Sequence, residues 1–94
     1  MKLTDVLLLE DIAEKLLLKH RVEEQEVLEV LKNRPSFRYV EKGHRKGENV
    51  YAAFGQTESG RYLVIYFIYK KENQALILSA RDMTPHERRK YEQK

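Results

Sequence analysis

The run Tyr62–Tyr69 is apolar or aromatic at every position. A strand with one face in water alternates polar and apolar residues, whereas this run has no polar side. It therefore belongs in the middle of a sheet that is covered on both faces. That placement obliges the rest of the chain to supply flanking strands and a covering layer. The flanks are legible. Ser36–Glu41 reads as a strand with Phe37 and Tyr39 on one side, and Val50–Thr57 alternates Val50, Ala52 and Phe54 against Tyr51, Ala53 and Gly55. The segment Lys42–Asn49, with two glycines and four charges, is a loop. Thr57-Glu58-Ser59-Gly60 forms a hairpin turn in which Gly60 takes a positive φ. Lys70–Gln74 is a second turn, and Ala75–Arg81 is the last strand.

Helical periodicity precedes the strands. Leu9, Ile12, Ala13, Leu16, Leu17 and His20 follow the i, i+3, i+4, i+7 spacing of one helical face. Val27, Leu28, Val30 and Leu31 repeat it after Glu23 and Glu24, acids that suit a helix N-terminus. Val22 and Val27 are spaced for a hydrophobic staple, and Arg34-Pro35 ends the second helix. Before Leu9, Leu3–Leu8 reads equally as a short edge strand or as a helical lead-in. A third helix starts at Thr84: threonine is a good N-cap, Pro85 suits the first helical position, and Glu87 stands where a capping-box acid belongs. The order predicts an α+β fold. Two N-terminal helices pack on one face of a three- to four-stranded antiparallel sheet, a C-terminal helix follows, and residues 1–94 form a single domain. The sheet's other face need not be apolar, and function can sit there.

Charge narrows the function classes. The net charge is +3, from 18 Lys and Arg against 15 Asp and Glu. Acids are frequent from Asp5 to Glu29, while Arg34–Lys46 and Arg81–Lys94 are rich in Lys and Arg. Such clustering fits a nucleic-acid or acidic-protein partner, with an unevenly charged but merely solvated surface as the plain alternative. No apolar run approaches the roughly 20 residues of a membrane helix. Acids flank Val6–Leu9, which argues against a signal peptide. There is no cysteine, hence no disulfide framework or thiolate zinc site. A cytoplasmic location is expected. The histidines are scattered, no paired acids have metal-ligand spacing, and no glycine-rich phosphate loop is present. No metal or cofactor is expected.

Several segments, taken in order, resemble the BrnT family of toxins, small ribonucleases of bacterial toxin–antitoxin pairs. Lys19-His20 matches a Lys-His pair closing the first helix, and Glu23-Glu24 through Leu31 matches the second helix. Gly55-Gln56-Thr57, Ser59-Gly60-Arg61 and Leu63-Val64 match a hairpin whose second strand begins Gly-Arg-x-Leu. Ser79-Ala80-Arg81 and Glu87-Arg88-Arg89-Lys90-Tyr91 match the terminal strand and helix. The chain departs from the family at Leu7-Leu8-Leu9-Glu10-Asp11, where an aromatic-rich strand leads to Asp-Pro, and at Arg21, where Lys-His is followed by Gly. The resemblance implies a fold like that of RelE ribonucleases. It also implies a toxin that blocks translation by cutting RNA without a metal, and a cognate BrnA-like antitoxin covering the basic surface. It leaves a homodimer open. The departures keep a second reading in view: a non-catalytic RNA- or protein-binding module of the same fold.

Metal-independent cleavage uses the substrate 2′-hydroxyl as nucleophile, so the protein must take its proton, protonate the leaving 5′-oxygen and stabilise the phosphate. Arg81 lies at a strand end beside a helix N-terminus, where free amides and positive charge suit a phosphate. Arg61 enters one predicted strand as Arg81 leaves its antiparallel neighbour, so the two guanidiniums are expected to meet as a clamp. The alternative is that each pairs with a carboxylate. His20 is the candidate base, since imidazole titrates near neutrality, and a histidine at the core edge is the other reading. Glu41 would serve as a base if it faced the arginines. Lys19, Arg88, Arg89 and Lys90 would follow the phosphate backbone, and Tyr91 would stack on RNA or anchor the last helix. Tyr62 and Tyr66 share a face, with Tyr66 read as core. His44 and His86 read as ordinary surface histidines.

Overall fold

A computed structural model describes residues 1–93; Lys94, the end of the basic stretch, lies outside them. The chain runs β1 (Asp5–Leu7), α1 (Glu10–His20), α2 (Glu24–Lys32), β2 (Ser36–Glu41), β3 (Asn49–Gln56), β4 (Tyr62–Lys70), β5 (Gln74–Asp82), α3 (Pro85–Glu92). The strands form one sheet in the order β1-β5-β4-β3-β2. The all-apolar strand β4 is central, antiparallel to both β3 and β5. The α+β class is as expected. The strand count is not: the sheet has five strands and is mixed, because Asp5–Leu7 pairs parallel with Gln74–Leu76. Three residues carry no periodicity of their own. What makes β1 a strand is distant, its pairing with β5, fastened just before it by the Thr4 amide and hydroxyl, which donate to the carbonyls of Asn73 and Glu72, both at 2.9 Å.

Local chemistry explains the helices. Arg21 ends α1 in the left-handed region (φ 52°, ψ 38°), and the amides of Arg21 and Val22 donate to the carbonyls of Leu17 and Leu16. Glycine is the usual residue there, since a side chain costs about 1 kcal/mol in this conformation. Glu23 caps α2 in a reciprocal box with Glu26. Val22 and Val27, one residue before the cap and four after it, are both buried and form the expected staple. Gly55 lets α2 come close to the sheet: a Cβ there would lie 3.1 Å from Val30 Cγ1 and 3.3 Å from Pro35 Cβ.

The main core lies between α1, α2 and one face of the sheet, where Leu16, Val27 and Val30 meet Leu63, Ile65, Phe67 and Ile77. Phe67 packs edge-on to Phe37 at 6.0 Å and stacks on Tyr51 at 6.1 Å. Leu17 belongs to the predicted apolar face of α1 but is half exposed, at its margin.

The third helix departs from the one-faced arrangement. It covers the opposite face of the sheet, where Tyr91 and Met83 pack on Ala52, Phe54, Val64 and Tyr66. A helix of eight residues is marginal alone. Its hold comes from that small cluster, from Tyr91 against Tyr62 (6.0 Å, edge-on) and from the Thr84–Glu87 capping box.

One irregularity decides which side chains reach that face. From Lys70 to Phe67 the β4–β5 register runs Lys70↔Gln74 through Phe67↔Ile77, but Tyr66 pairs with Ser79. Leu78 is an extra, exposed residue on β5. Such a bulge reverses the facing of every residue beyond it.

Candidate active site and nucleic-acid interface

Arg61 is positioned by the hairpin before it. The buried Thr57 hydroxyl accepts from the Arg61 amide at 3.0 Å, and Gly60 (φ 94°) closes the turn. The guanidinium then reaches the C-terminal end of α1, on the α1/α2 side. Its Nη2 donates to the His20 carbonyl (2.9 Å) and its Nη1 to the Arg21 carbonyl (2.8 Å). Nη1 also binds Glu26 at 3.0 Å, while Nε and Nη2 grip both oxygens of Asp82 at 2.8 and 3.1 Å. Every guanidinium nitrogen is thus engaged. A cation at a helix C-terminus with two carboxylates is stably held. Asp82, first by that hydrogen bond, keeps its Arg61 partner's pKa above the ordinary value, and Arg61 in turn holds Asp82 below its own.

Arg81 occupies the other face. Without the extra Leu78 the register set at the turn would bring Arg81 opposite Leu63, on Arg61's side; with it, Arg81 lies opposite Val64 and points to the α3 side. Its Nη1 and Nη2 grip Glu87 at 2.8 and 3.0 Å, and Nη2 also donates to the Tyr66 hydroxyl at 3.0 Å. Both members of the pair are partly exposed, at 32% and 22% of their side-chain surface. Arg81 first, and the Thr84 amide after it, drive the Glu87 pKa down to about 2, and Glu87 raises that of Arg81. The expected clamp of two guanidiniums is therefore corrected: the bulge separates them by the thickness of the sheet, and each pairs with carboxylates.

The two arrangements share a device. Glu26 and Glu87 each occupy the third helical position of a capping box, on α2 and α3. Each spends the same carboxylate on its cap and on an arginine, Arg61 or Arg81.

The remaining candidates divide by face. His20 ends α1, exposed, on the Arg61 side, where its charge helps to lower the Asp82 pKa. Lys19, beside it, is exposed. Glu41 does not face the arginines. It pairs with Val50, and Val50 with Ile68, four residues along β4 from Val64, so it lies at the far end of the sheet's outer strand. His44 and His86 are exposed. On the α3 side, Arg88 lies 4.0 Å over the Tyr62 ring and 3.6 Å from Glu92. Arg89 and Lys90 are exposed on the same helix, and Tyr91 anchors it through Tyr62.

Sequence reasoning placed Tyr66 in the core and passed over Arg38, Glu26 and Asp82. Arg38 stands on β2 with its guanidinium 5.2 Å over the Phe54 ring. It lines a cleft of about 170 Å³ with Ser36, Phe54, Glu87, Lys90 and Tyr91. Among the described residues, neither Arg38 nor Lys90 has a carboxylate partner. Strand alternation offered one signal for them: Arg38, Phe54 and Tyr66 fall on the same sheet face once β2, β3 and β4 are paired. Among the described residues no three His, Asp or Glu side chains gather as a metal site would need, and no helix is long and apolar enough to cross a membrane.

Fold and site together define a small, mildly basic α+β protein with an arginine and a tyrosine hydroxyl on the sheet face beneath its last helix. The sequence model of BrnT, the ribonuclease toxin of type II toxin–antitoxin systems, matches residues 10–87, and the chain belongs to that family. Membership brings an RNA target and an antitoxin partner with it. No curated protein matches the chain.

Proposed function

We propose that this chain is a metal-independent endoribonuclease that inhibits translation in the cytoplasm, acting as one domain and neutralised by a BrnA-like antitoxin that covers the α3 face. The observation that carries the reading is Arg81, held on that face between the Tyr66 hydroxyl and the Glu87 carboxylate. A carboxylate gripped by both Arg81 nitrogens occupies the place a phosphate takes, since the guanidinium fork suits both anions.

RNA binding then exchanges one anion for another. The scissile phosphate displaces Glu87 from Arg81, and the freed carboxylate loses the donor that depresses it. It becomes the stronger base and takes the 2′-hydroxyl proton. The 2′-oxygen attacks phosphorus, the bond to the 5′-oxygen breaks, and the Tyr66 hydroxyl protonates the leaving oxygen. Products are a 2′,3′-cyclic phosphate and a 5′-hydroxyl, and water returns the proton to Tyr66 and removes that on Glu87. Arg81 stabilises the charge gathering on the phosphate. Arg88, Arg89 and Lys90 hold the flanking backbone. Arg61, fully occupied on the other face, ties α1, α2 and β5 together, and His20 and Lys19 lie outside the reacting centre.

A second reading, a binding module without catalysis, is favoured by one observation: Arg61 and Arg81 are both already neutralised by protein carboxylates. Controlled expression in a bacterial host, following growth and total RNA, separates the two. Growth arrest with discrete RNA cleavage, lost in a folded Arg81→Ala variant, supports the ribonuclease. Normal growth with intact RNA from well-expressed, folded protein overturns it.

A further inference from the structure

The cleft between β2, β3 and α3 has a composition that the phosphate chemistry does not require. Phe54, only 8% exposed, forms its floor with Arg38 above the ring, and Tyr91 and Lys90 also line it; neither Arg38 nor Lys90 has a carboxylate partner among the described residues. Its one acid, Glu87, pairs with Arg81 until the phosphate displaces it. An apolar aromatic floor under unpaired positive charge suits a flat ring joined to an anion. At about 170 Å³ the space is below the roughly 300–1,000 Å³ of a site for drug-sized ligands. It takes one ring system and leaves the sugar and phosphate outside.

We propose that this cleft receives a single unpaired nucleobase of the RNA, next to the nucleotide whose phosphate sits on Arg81, stacked between Phe54 and Arg38. The inference rests on the ribonuclease reading and adds a base-binding subsite to it. The register supports the spacing. Phe54 and Arg81 lie in one row across the sheet, with Val64 between them. Two strand spacings, about 10 Å, separate them, and Glu87 borders both the cleft and Arg81. Arg38 has room to act as the upper plate. Its guanidinium is 5.2 Å from the ring centroid, and a base between two planes needs about 7 Å, twice a contact distance of about 3.5 Å. Arg38 is exposed, so a shift of this size costs little packing.

The test is an abasic scan. A 2′-O-methyl RNA oligonucleotide, which binds but cannot be cut, is compared with versions lacking the base at one position at a time. Affinities are read by fluorescence anisotropy for the wild type, Arg38→Ala and Phe54→Leu. Loss of one particular base is expected to weaken wild-type binding about tenfold. In Arg38→Ala, whose surface position leaves folding intact, overall affinity falls but that penalty shrinks below about twofold. Phe54→Leu, checked for native melting, reduces it in the same way. RNA binding with equal penalties at every position, or with a penalty unchanged in Arg38→Ala, overturns the base subsite and leaves the ribonuclease reading standing. Failure of the wild type to bind RNA at all overturns that reading, and the subsite with it.

Discussion

The Glu87 carboxylate grips Arg81 with both oxygens, at 2.8 and 3.0 Å, and the same carboxylate accepts from the Thr84 amide at 2.9 Å to close the first turn of α3. The arginine proposed to bind phosphate and the helix that borders it are thus fastened by one side chain. An anion that takes Arg81 must loosen that fastening.

Glu87→Gln separates the two duties. The amide oxygen still caps α3, but the charge that competes with phosphate is gone. RNA affinity should rise about tenfold, the worth of a charge-assisted hydrogen bond. Cleavage should fall about 100-fold or more for want of the base. Anisotropy with uncleavable RNA and single-turnover cleavage measure the two. Weaker binding together with slower cleavage would assign Glu87 a purely structural role.

Arg61→Ala should behave as a stability variant. It removes the guanidinium from Asp82 and the carbonyls ending α1, and leaves Glu26 with its capping bond to the Glu23 amide alone. The side chain is about a quarter exposed, so the loss expected is about 2 kcal/mol, below that of a fully buried pair. Urea unfolding checks this. Cleavage per folded molecule should stay near the wild-type rate, and a tenfold drop with native stability would return Arg61 to the reacting centre.

Arg21→Gly should stabilise the protein by about 1 kcal/mol, because Arg21 holds a left-handed conformation (φ 52°) that glycine adopts without cost. The Arg21 carbonyl, which accepts from Arg61, is kept. Thermal melting decides it; an unchanged or lower Tm would show that the arginine side chain offsets its backbone strain.

Acid should unfold the protein through Glu87 and Asp82. Both carboxyls have folded pKa values below the ordinary ones, Glu87 at about 2 against 4.5. Their contribution is therefore complete above the ordinary carboxylate range and is lost as pH falls through it towards the folded values. Urea midpoints measured across this range should drop, and less steeply in Glu87→Gln. A slope unchanged by the substitution would remove Glu87 from the acid limb.

How much of this was legible in the sequence follows from the range of each signal. The α3 cap at Thr84, Pro85 and Glu87 is written within four residues, and the central strand is written in Tyr62–Tyr69 itself; both are where local chemistry puts them. Strand β1 is ambiguous because its pairing partners, Gln74 to Leu76, are far along the chain. The expected meeting of Arg61 and Arg81 failed on Leu78, one extra residue that no periodicity announces and that reverses the facing of Arg81. Tyr66 reads as core because its strand is apolar throughout; only the reversed Arg81 gives its hydroxyl a donor. The place of Glu41 at a strand end is local, but the pairing that sets it far from the arginines is not.

Cutting of RNA on the α3 face, as proposed, depends on Arg81. Cleavage of a defined RNA oligonucleotide by purified wild type, Arg81→Ala and Arg81→Lys tests it most directly, with each variant's fold checked by circular dichroism. Wild type should give a 2′,3′-cyclic phosphate product, and Arg81→Ala should lose about 100-fold or more of the rate. Arg81→Lys should recover little, since a single ammonium cannot reproduce the fork. Wild-type cleavage by a folded Arg81→Ala would move the reacting centre off this face.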